Sequence, residues 1–149
     1  MRQFVRPETF DCLLNLYTSF GYFESRADDE RTAQNWYDSL VPGGTLLMSL
    51  ASKETISADF EPRGWSTVDD TYFLEERTIK DNFSWIENSW TVIDDGTVAE
   101  YSVSHRLYSA YELTQLLERV GFDSISVFGS LTGDPFDHTA DRLVVRAKK

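Results

Sequence analysis

What this sequence lacks narrows it quickly. It has one cysteine, Cys12, in 149 residues, so neither an internal disulfide nor a cysteine zinc cluster can form. No apolar run approaches the ~18 residues of a membrane helix. The opening residues, MRQFVRPETF, contain no apolar stretch of the kind a secretory leader carries. Positive charge is scarce. Lys and Arg number 14 against 25 Asp and Glu, a formal net charge of −11, which argues against a nucleic-acid backbone as partner. The eight glycines never fall into a GxGxxG or GxGxG spacing, and no GxSxG marks a serine nucleophile. These absences predict a soluble, cytoplasmic protein with neither a membrane nor a nucleic acid as partner.

What is present is one domain's worth of ordinary globular composition, 41% hydrophobic and 14% aromatic. A domain of this length buries roughly 68–70% of its unfolded surface. The acid is spread along the chain rather than gathered in a tail. Arg outnumbers Lys, and two of the lysines are Lys148 and Lys149. Dense carboxylates of this kind predict a salt-loving source organism, where they keep the surface hydrated. An ordinary acidic cytosolic protein is the alternative.

Along the chain, Cys12 to Tyr17 is an apolar run broken only by Asn15, which predicts a strand covered on both faces. Ala33, Trp36, Tyr37 and Leu40 follow at i, i+3, i+4 and i+7, one face of a helix. Asp28, Asp29 and Glu30 lie in its first turn, and Pro42 and Gly43 are placed to stop it. Thr45 to Leu50 is a second covered strand, so residues 1–55 read as a βαβ unit. The next segment, 56–108, alternates apolar and polar residues. TYFLEERTI, FSWIENSWTVI and TVAEYSVSHRLYS predict three antiparallel strands, with Asp94 to Gly96 as a hairpin turn. Glu61 to Trp65, EPRGW, reads as a packed turn, with a lid or pocket loop as the alternative. Residues 109–149 return to a helix and two strands. Ser109 and Glu112 form a capping box, Leu113, Leu116, Leu117 and Val120 the buried stripe, and Gly121 the stop.

The segments FDCLLNLYTSFGYF, LVPGGTLLMSL, LLERVGFDSISVFG and DRLVVRAKK, in this order, resemble the C-terminal half of class I S-adenosylmethionine-dependent methyltransferases. TSFGYF also resembles a branch that includes sugar N,N-dimethyltransferases. The resemblance implies an α/β fold: a partial Rossmann-like sheet with strands in the order 4-5-7-6, carrying an inserted antiparallel segment. It implies S-adenosylmethionine as cofactor, with Asn15, Leu16, Tyr17 and Thr18 bordering its methionine moiety. The family's glycine-rich turn and ribose-gripping acid have no counterpart in these 149 residues. The expectation is therefore a family member that begins in the middle and cannot bind cofactor alone. It would be a truncated product, a mis-called start, an excised fragment or half of a split enzyme.

Methyl transfer asks the protein mainly for alignment, with a base where the acceptor is protonated. Asn15 sits near the end of its strand, where α/β sheets hold ligands; a buried amide satisfied by backbone is the plainer alternative. Tyr22 and Phe23 are candidate walls of an acceptor pocket, or simply core. His105, Arg106 and Tyr108, at the end of the third antiparallel strand, are a candidate base, anion clamp and orienting hydroxyl. The plainer alternative is a strand-end histidine beside a solvated arginine. Asp134, Asp137, His138 and Asp141 lie close in sequence, but a Pro-containing loop in an Asp-rich chain predicts no metal site, and Cys12 reads as strand core. Two functions follow. One is a methyltransferase acting on a small-molecule acceptor; the other is a non-catalytic α/β assembly module. An apolar strand left at a sheet edge predicts a homo-oligomer in either case.

Overall fold

The computed structural model describes residues 1–149 as eight strands and three helices. The first unit is β1 (Phe10–Asn15), α1 (Arg26–Ser39) and β2 (Leu40–Leu50). Ser25 caps α1 by accepting from the Ala27 amide, and Asp28 and Asp29 occupy its first turn. The helix stops one step earlier than its proline predicts. Leu40 turns extended while its amide still donates to the Trp36 and Tyr37 carbonyls, so it is both the helix cap and the first strand residue. Pro42, Gly43 and Gly44 instead form an irregularity inside β2. The register with β1 jumps from Phe10↔Leu40 to Cys12↔Thr45 there. Gly43 has φ +79, and its amide donates to the Lys149 carbonyl at 2.7 Å. The turn thus ties the end of the last strand to the second.

A short helix, α2 (Lys53–Ala58), follows β2 and was not expected. It lies across the 55/56 boundary and buries no side chain. Then come β3 (Arg63–Val68), β4 (Thr71–Lys80), β5 (Trp85–Asp94) and β6 (Thr97–Arg106). These make a four-stranded antiparallel sheet in sequence order, one strand more than the alternation predicts. The extra strand is β3, and EPRGW forms its approach and start. Residues Asp95 (φ 44) and Gly96 (φ 75) form the β5–β6 turn, the primed conformation that Asp-Gly favours.

The chain closes with α3 (Ala110–Val120), β7 (Asp123–Phe128) and β8 (Leu143–Lys148). The Ser109–Glu112 capping box forms, and Gly121 ends α3 at φ 113. The first sheet runs β1-β2-β8-β7, with β1 and β2 parallel and the remaining pairs antiparallel. The main core gathers Leu46, Met48, Leu50, Leu143, Val145 and Ala147 of this sheet against Ala33, Trp36, Leu113, Leu116 and Leu117 of the two long helices. The opposite face is buried at Ser49 and Val144 but open along β1. On the other face Leu14 is 62% exposed and Cys12 is exposed, which corrects the expectation of a β1 covered on both sides with Cys12 in its core. No helix is long and apolar enough to cross a membrane.

Candidate functional site

β1 ends at Asn15, which is 5% exposed. Its amide nitrogen donates to the Ser19 carbonyl at 3.2 Å, while its Oδ1 is buried with no partner. Tyr17 and Thr18 follow at φ 55 and φ 57. Consecutive non-glycine residues in the left-handed region carry backbone strain that surrounding bonds must hold. Those bonds are present. The Thr18 amide donates to the Ser49 carbonyl, and the Thr18 hydroxyl accepts from the Ala51 amide at 2.9 Å and from Arg142. Tyr17 is left 87% exposed.

The end of β6 is clasped onto this region. The Arg106 amide donates to the Gly21 carbonyl at 2.7 Å and the Lys53 amide to the Tyr108 carbonyl at 3.1 Å. Beneath lies a buried polar knot. Asp29 Oδ2 accepts from the Tyr108 hydroxyl at 2.8 Å and from Arg106 Nε at 3.2 Å. Arg106 also donates to the Glu24 carbonyl and lies over the Trp85 ring. Burial pushes the Asp29 carboxyl above its ordinary range, partly offset by the Tyr108 and Arg106 bonds. Burial likewise pushes the Tyr108 phenol up, helped by Asp29.

This arrangement brings some expected site residues together and separates others. A cavity of ~650 Å³ opens at the carboxyl ends of β1 and β2, lined by Thr18 and Ala51, by the α2 region, by Arg77, Ile86, Asn88 and His105, and by residues 138–141. Ligands of open α/β sheets sit at such strand ends. Thr18 and His105 meet there. Arg106 and Tyr108 do not: both are committed to Asp29, and Tyr108 is fully buried. They fasten β6 to α1 rather than facing a ligand. Tyr22 lies against His105 with ring centroids 5.0 Å apart and planes tilted by 30°, and Phe23 lies under Arg2. Leu16 and Tyr17 border the strand end outside the cavity.

His105 is 7% exposed, and neither ring nitrogen has a partner. Burial holds its imidazole below the ordinary value, so the neutral form is favoured at pH 7. An unfolded-state histidine titrates near 6.5, and the folded value is lower. The unfolded chain thus binds more protons between the two, and the stability from burying neutral His105 is lost as pH falls below about 6.5. Denaturant unfolding from pH 8 to 5 is expected to show this decline. His105→Gln is expected to flatten it; an equally steep slope in the variant would assign the effect elsewhere.

Sequence reasoning missed Arg77 and Asn88, which sit opposite each other on β4 and β5 on the same face as His105. Arg77 is paired with Glu75 and donates to the Glu61 carbonyl. Their only signal is the rough alternation that puts them on one face with Ile79 and Ile86, and it leaves that face unassigned. The 134–141 loop is held by local bonds: Asp134 accepts from Ser130 and Thr132, and Asp137 from Thr139. No group of three or more His, Cys, Asp or Glu side chains is placed to hold a metal ion.

No protein-family model matches the chain, and no curated protein does. Solved structures match it closely in shape. The CcbJ methyltransferase of Streptomyces caelestis superposes with a TM-score of 0.81 at 12% identity, over 94% of this chain and 57% of its own. An S-adenosylmethionine-dependent methyltransferase of Clostridium acetobutylicum gives 0.79 at 14% identity, over 99% and 61%. An amino pentose methyltransferase of Micromonospora echinaspora, solved with S-adenosylmethionine bound, gives 0.69 at 20%, over 99% and 61%. The chain thus spans about three fifths of the length of these proteins. At these identities the likeness is one of fold: the chain folds like part of these S-adenosylmethionine-dependent methyltransferases.

Proposed function

We propose that this chain is the acceptor-binding portion of a methyltransferase that modifies a small molecule. In this reading β1, β2, β8 and β7 take the places of strands 4, 5, 7 and 6 of the family sheet, and β3–β6 are an insertion. The observation that carries the reading is the cavity at the β1 and β2 ends, lined both by the strained Thr18 and by a buried histidine whose two ring nitrogens have no partner.

Asn15, Leu16, Tyr17 and Thr18 fit the methionine end of S-adenosylmethionine. The orphaned Asn15 Oδ1 is an acceptor waiting for a donor, and the methionine end carries an ammonium. When bound, the cofactor supplies an electrophilic methyl group and most of the driving force. The work left to this chain is to orient the acceptor and take its proton. Neutral His105 is the group assigned to accept that proton, Tyr22 packs against its ring, and Asn88 offers a donor on the same wall as Arg77. Asp59, Glu61 and Asp141 also line the cavity. A carboxylate-rich entrance favours a cationic acceptor, so we assign an amine. Several structural neighbours are named for amines, among them the amino pentose enzyme and a sugar N-methyltransferase of Streptoalloteichus.

These 149 residues hold no glycine-rich turn, and the β1 edge and its bare face, with Leu14, are where a cofactor-binding unit docks in this reading. Calorimetric titration of the chain with S-adenosylmethionine is expected to give a Kd weaker than ~100 μM, about −5.5 kcal/mol. Tighter binding would show a complete cofactor site and overturn the partial-site reading. A second reading, a non-catalytic assembly module, draws on one observation: the antiparallel sheet lacks a cover on its outer face.

A further inference from the structure

The cavity at the β1 and β2 ends does not stand alone. A second cavity of ~430 Å³ adjoins it, and Thr55, Ala58, His138 and Ala140 line both. The lining is lopsided in charge. Asp59, Glu61 and Asp141 stand exposed at the first cavity, and Glu54 and Asp137 at the second. Arg77 is the one Lys or Arg at either, and its guanidinium is taken by Glu75 and by the Glu61 carbonyl. None of the molecule's eight ion pairs uses any of these five carboxylates. An acidic rim alone is ordinary in a chain of net charge −11. What marks this one is His105 on the same wall, 7% exposed with both ring nitrogens unpartnered. A buried polar group left without a partner is costly, and native structures rarely keep one for nothing.

We propose that the two joined cavities bind a linear polyamine, with one amino group at His105 and the others on the carboxylates. A neutral imidazole has one nitrogen that donates and one that accepts, and an amino group can meet either. Carboxylates only accept and ammonium groups only donate, so the rim and the remaining amino groups are matched. The unpaired carboxylates outnumber what one ammonium neutralises. They also fall into two sets, Asp59, Glu61 and Asp141 at one cavity and Glu54 and Asp137 at the other. The shared wall between the sets carries Ala58 and Ala140, which suit methylenes rather than charge. Cationic groups joined by an aliphatic stretch are the pattern of a polyamine. An amine that carries a phosphate finds no free Lys or Arg here. The inference rests on the methyltransferase reading only for the role of this molecule as acceptor; its binding rests on the cavities alone.

An NMR titration of the full chain with spermidine, without cofactor, tests the proposal. Spermidine is expected to shift the His105 ring and the Asn88 side-chain amide. Butylamine, with one amino group, and phosphoethanolamine, with an amine and a phosphate, should bind at least about tenfold more weakly. Asp59→Asn combined with Glu61→Gln should weaken spermidine about fivefold, as the loss of two exposed ion pairs does. Glu54→Gln, at the second cavity, should weaken it about twofold. Asp69→Asn combined with Asp70→Asn removes the same charge from the exposed β3–β4 turn and should leave the affinity unchanged. All these positions are exposed, so the amide spectra should stay those of the folded parent. Equal weakening by the Asp69 and Asp70 pair would reduce the binding to general attraction by an acidic surface and overturn the proposal. So would butylamine binding as tightly as spermidine, or spermidine leaving His105 unmoved. The titration contains no S-adenosylmethionine, so these outcomes are separate from the cofactor test of the methyltransferase reading.

Discussion

Replacing Asp29 by alanine is expected to cost about 3–5 kcal/mol of stability, the range for removing one partner of a buried charged pair. At roughly 2–4 °C per kcal/mol for a domain of this size, the thermal midpoint should fall by about 10 °C. The loss does not come from a strongly favourable ionised carboxylate. Burial raises the Asp29 pKa, so the charged form is less favourable there than in water. Its contribution is fully present below the ordinary carboxylate value and declines as pH rises through the higher folded value. The loss comes instead from what is left behind. The Tyr108 hydroxyl, fully buried, and the Arg106 guanidinium, 15% exposed, would both lose their acceptor. Tyr108→Phe removes one hydrogen bond and is expected to cost about 1–2 kcal/mol. Equal losses in the two variants would show that Arg106 finds another partner and that the knot is not what fastens β6 to α1.

Gly21→Ala is expected to be nearly as damaging, about 3 kcal/mol or more, in the range reserved for strained or clashing backbone positions. Gly21 has φ +96, and a Cβ there would stand 2.6 Å from the Arg106 carbonyl oxygen. Neither atom can rotate away, because the Arg106 amide is already bound to the Gly21 carbonyl. Gly133→Ala is the matched control. Its φ is +92 but nothing lies within 4 Å of the added carbon, so only the conformational penalty of about 1–2 kcal/mol applies. Chemical denaturation of both variants checks this. A Gly21→Ala no worse than Gly133→Ala would mean that the β6 end is not clamped. Thr18 and His105 would then owe their meeting to something else.

These two positions explain what was legible in the sequence and what was not. Local rules worked where the information is local. The capping box and terminal glycine of α3 form as expected, as does the Asp95-Gly96 hairpin turn. β3 was overlooked because Pro62 and Gly64 look like turn residues and only Trp65 and Val68 suggest a strand. α2 was overlooked because a helix with no buried residue leaves no apolar stripe to read. The site shows the same division. The strand-end rule points to Asn15 and Thr18, and His105 stands out as a polar residue at the end of the third alternating segment. The sequence could not show that Arg106 and Tyr108 turn away. Their partner, Asp29, is 77 and 79 residues distant, and to sequence reasoning it was only a helix-start carboxylate. Arg77 and Asn88 were hidden differently. Alternation shows that one face of a sheet differs from the other, but not that a cavity opens against it.

The central claim is that the end of β1 and the His105 wall belong to one methyl-transfer site. The most direct test is a two-dimensional amide NMR titration of the full chain with S-adenosylmethionine up to about 10 mM, which reaches binding as weak as −3 to −4 kcal/mol. The expected result is movement of the Asn15 side-chain amide and of the Leu16, Tyr17 and Thr18 signals. The His105 ring should respond as well, and all of these shifts should be lost in Asn15→Leu. Shifts confined to other parts of the chain, or none at 10 mM, would contradict the claim.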